Sequence, residues 1–135
     1  MAKPIKILTR SVKFHLSLLI ISTGLILYGT LFPADYDVPK QFFGYDKLIH
    51  FLMFGTWTFF YGLVRFLKNN FSLFPVFMAS ALFGLFIEIL QYFLPTNRTA
   101  ELIDFVADVS GTAFALLILY LLAKKLPEFK TDPAS

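Results

Sequence analysis

The chain has no cysteine. That absence removes disulfides, a thiolate nucleophile and every Cys-based zinc or iron–sulfur site, and it leaves the redox compartment unread. Charge is scarce too: Asp, Glu, Lys and Arg make up 16% of the residues and the formal net charge is +3, too little to argue for nucleic acid as a partner. There is no Gly-rich phosphate loop, no serine nucleophile motif and no H-E-x-x-H stretch. The only histidines are His15 and His50, far apart in the chain, and neither a metal nor another cofactor is expected.

What is present is apolar. Hydrophobic residues form 57% of the sequence, eighteen of them phenylalanine, and the mean hydropathy is +0.69. Such a composition does not suit a water-facing surface, so the chain reads as a membrane protein with the lipid bilayer as its surroundings. A hydrocarbon core about 30 Å thick needs roughly 20 mostly apolar residues at helical rise. Four stretches come close to that, at residues 14–32, 48–67, 71–94 and 102–123. No run alternates apolar and polar residues with period two, so the spans are expected to be helices rather than barrel strands. Pro33 and Pro39, then Lys68-Asn69-Asn70, then Pro95-Thr96-Asn97 separate them, while Pro75 falls in a first turn, where its missing N–H costs little. The expected fold is all-α, a polytopic bundle of four transmembrane helices. It comprises a basic N-terminus (1–13), a four-helix domain (14–123) and a short tail (124–135) that ends in KTDPAS and reads as disordered.

The first apolar run follows Lys3, Lys6, Arg10 and Lys13 but is longer than a signal-peptide core and has no small-x-small cleavage pattern close behind it, so it reads as a retained helix. The N-terminus, the link at Arg65 and Lys68 and the tail carry nine Lys or Arg against Glu128 and Asp132. By the positive-inside rule these are cytoplasmic, and both termini are expected inside. Lys40, Lys47 and Arg98 fall on the other side with Asp35, Asp37, Asp46, Glu88, Glu101, Asp104 and Asp108.

Polar residues enter the spans at that outer end with helical spacing. In DKLIHF, Asp46 and His50 are four apart; in EILQYF, Glu88 and Gln91 are three apart; in LIDFVAD, Asp104 and Asp108 are four apart. A carboxylate at mid-bilayer costs about 2.5–3.5 kcal/mol on insertion scales, so these stripes are expected to face one another. The arrangement implied is a small polar cavity between the second, third and fourth helices, with Arg98 on the loop above it and Lys47 snorkelling to the interface.

Taken in order, DKLIHF, EILQYFLPTNR and LIDFVADVSG resemble the VanZ-like family of small integral membrane proteins, over about Asp46 to Gly111. The resemblance marks Asp46, Lys47, His50, Glu88, Gln91, Arg98, Asp104, Asp108 and Gly111. It ranks Asp108 below Glu88 as an ionised base, because many relatives have asparagine there. The family is named for low-level resistance to teicoplanin, which implies a bacterial protein acting at the cell envelope.

Each of these residues has a bland reading beside the sharp one. His50, Glu88, Asp104 and Asp108 have ligand types that suit a hard or borderline divalent ion, but a buried histidine that simply satisfies a carboxylate is the commoner case. Glu88 is a candidate general acid or base with His50 exchanging its proton; the same groups serve equally as interhelical cement. Arg98 either clamps a phosphate or pairs with Glu101 or Asp104. Ser110 and Gly111, with Ala107 and Ala113, read as a packing surface, and Trp57, Phe59, Phe60 and Tyr61 as core and lipid contact. Three functions remain open. The favoured one is a membrane-embedded binding or accessory protein whose outward polar pocket engages an envelope lipid, a cell-wall precursor or a related head group, with an effect on glycopeptide susceptibility. The others are a small intramembrane acid/base enzyme and a structural partner subunit. Whether there is any catalysis, and whether the chain forms a homo- or hetero-oligomer, the sequence leaves open.

Overall fold

The computed structural model describes residues 11–32, 43–68, 70–95 and 100–125. Their regular structure is four helices, α1 (Val12–Leu31), α2 (Phe43–Leu67), α3 (Leu73–Phe93) and α4 (Leu102–Lys125). All four are long and apolar enough to cross a membrane, and they coincide with the four spans read from the sequence. The largest difference is at α2, which starts at Phe43 rather than near Leu48. Hydropathy places the boundary where the apolar run begins, but Asp46 lies in the first turn of α2, where an acid favours the positive end of the helix dipole. DKLIHF is therefore inside the helix from its first residue. Pro75 does fall in the first turn of α3, which Ser72 precedes in extended conformation.

The bundle is built inside out relative to a soluble protein. Large apolar side chains such as Phe74, Tyr92, Phe93 and Leu102 are exposed, as suits contact with acyl chains. The buried faces are instead rich in small and polar residues. On α2 the face runs His50, Phe54, Thr58, Gly62; on α3 it runs Val76, Ser80, Gly84, Glu88 and Gln91; on α4 it runs Asp104, Asp108, Thr112, Ala115 and Leu119. Each is a stripe of period three to four, the pattern that aligns side chains on one side of a helix. Because the lipid-facing sides are also apolar, the stripes are visible only through their polar members.

The principal contact is between α2 and α4, with α1 packing mainly on α2 and α3 lying against α4, α2 and α1. Paired positions rise together along α2 and α4, Lys47 with Asp104, His50 with Asp108, Thr58 with Thr112, so these helices run parallel. Their closest approach is at glycine. A Cβ added to Gly111 would run into the Phe51 carbonyl and lie 3.1 Å from the Gly55 nitrogen. Both neighbours are backbone and cannot turn aside, so Gly111 is where the helices cross, in keeping with small-residue packing of membrane helices. Ser110, by contrast, is exposed and donates to the Val106 carbonyl on its own helix.

Polar bonds fix the remaining joints. Trp57 Nε1 donates to Thr23 Oγ1 at 2.9 Å, tying α1 to α2, and the indole also packs on Tyr61 and Phe83. In mid-bundle, Thr58 Oγ1 donates to Ser80 Oγ at 2.9 Å and Ser80 donates onward to the Val76 carbonyl. The one Thr58 proton is thereby used, so in its 3.1 Å contact with Thr112 the latter is the donor. This chain of hydroxyls joins α2, α3 and α4 with no charge.

Replacing Gly111 by alanine will destabilise the purified protein by about 1–3 kcal/mol, the usual range for forcing a methyl into a packed site. Gly24→Ala, whose Cβ meets nothing within 4 Å, will be neutral or stabilising by up to about 1 kcal/mol through helix propensity. Equilibrium unfolding in mixed detergent measures both. Equal losses would contradict the crossing at Gly111.

Candidate functional site

At the end where α1 and α3 finish and α2 and α4 begin, the polar stripes converge. Asp104 and Asp108 are 4% and 1% exposed, His50 3% and Glu88 8%, a concentration of ionisable groups that only mutual satisfaction permits in an apolar medium. His50 Nδ1 lies 2.9 Å from Asp108 Oδ1. Glu88 comes from the other side: its Oε2 accepts the backbone N–H of Glu101 at 3.0 Å. Glu101 precedes the first residue of α4, and its carbonyl accepts from the Asp104 N–H. The Glu88 carboxylate thus sits at the α4 N-terminus, where orphan amides and the helix dipole favour an anion.

Lys47, expected to snorkel toward the interface, is held by carboxylates at the start of α4. Its Nζ donates to Glu101 Oε2 at 2.8 Å and to Asp104 Oδ1, with Asp46 at 3.5 Å. Asp46 itself stays half-exposed at the rim. Gln91, grouped with Glu88 by its spacing, departs from the cluster: its Nε2 donates to the Thr30 carbonyl at 2.9 Å. That carbonyl belongs to the last turn of α1, which has no donor within the helix, so Gln91 ties α3 to the end of α1. Arg98 lies outside the described residues, as do Asn97 and Thr99. His15 is buried against Phe14 near the start of α1, at the other end of the bundle.

The fold therefore gathers Asp46, Lys47, His50, Glu88, Asp104 and Asp108 and sends Gln91 elsewhere. Glu101 belongs to the cluster although sequence reasoning placed it only on the loop. Asp108, ranked behind Glu88, is the most buried member and the partner of the histidine. Among the described residues, an opening of about 210 Å³ reaches the cluster between α3 and the start of α4, lined by Leu85, Glu88, Ala100, Glu101, Leu102 and Phe105.

Satisfaction within the cluster is incomplete. Among the described residues, Glu88 Oε1 and Asp108 Oδ2 are buried without a hydrogen-bond partner, as is Gln91 Oε1. The hydroxyl chain of Thr58, Ser80 and Thr112 directly below was not read from the sequence, yet its signal was there: Thr58 is eight residues after His50, Thr112 four after Asp108 and Ser80 eight before Glu88. Each continues the stripe that the ionisable residue begins.

Lys47→Met will leave Asp104 buried without its cation and destabilise the protein by roughly 3 kcal/mol. Combining it with Asp104→Asn will recover part of that loss in the same unfolding measurement, which is the signature of a coupled pair.

No curated protein and no solved structure matches the chain significantly. A family model does, that of VanZ/LLP1, over residues 6–123, and its span takes in α1 to α3, all but the last two residues of α4, and every residue of the cluster. A match over most of the sequence, on a bundle whose three polar stripes meet at one end, establishes that the chain belongs to the VanZ/LLP1 family.

Proposed function

We propose that the chain is a membrane-embedded binding protein whose polar cluster, on the outer side of the cytoplasmic membrane with both termini inside, engages the head group of an envelope lipid, a cell-wall precursor or a related molecule through that group's hydroxyl or ammonium donors. An effect on glycopeptide susceptibility would follow from sequestering such a molecule at the cell envelope. The observation that carries this reading is Glu88. One of its oxygens is anchored by the Glu101 amide, the other has no partner among the described residues, and the residue lines the opening between α3 and α4. Interhelical cement satisfies its own groups; a carboxylate held in place with one oxygen spare is arranged for something that arrives. An amphiphile also suits the surroundings. An apolar groove of about 390 Å³ begins at Phe51, directly after His50, and follows α2 and α4 past Gly55 and Phe59 to Ile118.

Glu88→Gln keeps an acceptor for the Glu101 amide and removes the charge, so it is the discriminating substitution. Native mass spectrometry of the purified protein with a phospholipid and with a polyprenyl phosphate is expected to show retention of one of them. Retention will weaken about tenfold or more in Glu88→Gln, the value of one charged hydrogen bond of about 1.5–3 kcal/mol, while thermal stability is kept. His50→Ala is expected to lose retention as well. Retention unchanged in Glu88→Gln, or lost only in step with unfolding, would return the cluster to the role of cement. Cells carrying the two proteins, compared for teicoplanin susceptibility, give the matching readout at the envelope.

A further inference from the structure

We infer that His50, Glu88 and Asp108 form a binding site for one divalent transition-metal ion. Each of these residues comes from a different helix, and each offers a ligand atom within 4.8 Å of the others'. Ordinary side-chain rotation closes such a separation to metal–ligand distances of about 2.0–2.2 Å. The three are also more than nine-tenths buried, unlike the exposed acidic groups that commonly lie close together for no such reason.

Two features point to a cation there. Glu88 Oε1 and Asp108 Oδ2 are two of the three buried side-chain oxygens without a hydrogen-bond partner among the described residues, so two of the three prospective ligands carry an unused acceptor. Lys47, the cation of the cluster among the described residues, is committed to Glu101 and Asp104. One supporting bond is of the kind a metal site uses, since the Glu101 amide fixes the Glu88 carboxylate; the His50–Asp108 bond would give way to the ion as both side chains turn to it.

One imidazole with two carboxylates selects a borderline ion such as Zn²⁺ or Mn²⁺ over Mg²⁺, which prefers oxygen and its own waters. Three protein ligands leave a further coordination position, and Glu88 places it beside the opening between α3 and α4. The ion deepens the head-group reading and, for that purpose, rests on it: Asp46, Glu88, Glu101, Asp104 and Asp108 would repel a phosphate, whereas a bound dication gives it a partner. Metal binding itself requires no lipid.

The test uses the full chain, purified in detergent without a polyhistidine tag, stripped with chelator and titrated with Zn²⁺ alone. The expected result is one zinc per chain by elemental analysis and a rise in Tm that grows with zinc concentration, as linkage demands. Affinity should fall at least about tenfold in Glu88→Gln and in His50→Ala and stay unchanged in Thr58→Val, which disturbs buried polar packing outside the site. Wild-type protein that takes up no stoichiometric zinc and shows no change in Tm overturns the proposal, whether or not the variants fold. So does zinc affinity equal in wild type and Glu88→Gln. Zinc bound stoichiometrically with no lipid retained would sink the head-group reading alone; lipid retained through Glu88 with no zinc bound would sink the metal site alone.

Discussion

Everything at the polar end of this bundle follows from the cost of placing Asp108 in an apolar medium. Its side chain is 1% exposed, and a carboxylate so placed must meet a partner or a counter-charge. His50 supplies one, from the second turn of DKLIHF, and that bond sets the register of α2 against α4. Once it is set, Lys47 lies one turn above, facing Asp104, while Gly55 and Gly111 come together below and Thr58 meets Thr112 further down. The two parallel helices are thus matched by charge at one end, by glycine at the crossing and by hydroxyls in the middle. Polar specificity replaces the hydrophobic driving force that lipid removes.

Helix α3 enters on different terms. It brings Ser80 to the hydroxyl chain, Gly84 beside Asp108 and Glu88 to the start of α4. Of these only Ser80 is fully engaged. Glu88 is positioned firmly through one oxygen and idle through the other, in the place where the bundle opens. A protein selected only for stability would have little reason to keep that charge, since buried ionic groups are commonly replaceable by neutral ones without loss. The tension between what holds the bundle and what is left over at Glu88 is the physical basis for assigning it a ligand.

Much of this was legible in the sequence. Four apolar runs gave four helices, because length and hydropathy are the constraints that a bilayer imposes most strictly. The spacing of Asp46, His50, Glu88, Asp104 and Asp108 brought them to one end correctly, because a charge in lipid has few places to go. The failures have equally physical causes. Gln91 shares a face with Glu88, but a long side chain near a helix end was captured by the open carbonyl of Thr30, and spacing does not show how neighbouring helices are staggered. The pairing of Lys47 with Glu101 and Asp104 went unread because these residues become neighbours only when α2 and α4 pack in parallel. Thr58, Ser80 and Thr112 went unread because hydroxyls in apolar helices usually return to their own backbone, as Ser17, Thr23 and Ser110 do here.

The most direct test of the claim that Glu88 is kept for a ligand is the stability of Glu88→Gln with no lipid and no metal present. Glutamine preserves the acceptor for the Glu101 amide and ends the burial of an unmatched charge, so the account predicts a Tm equal to or above that of the wild type, the usual relation between a functional site and stability. A Tm several degrees lower would contradict it, and would mean that the Glu88 charge is one of the bonds that hold the four helices together.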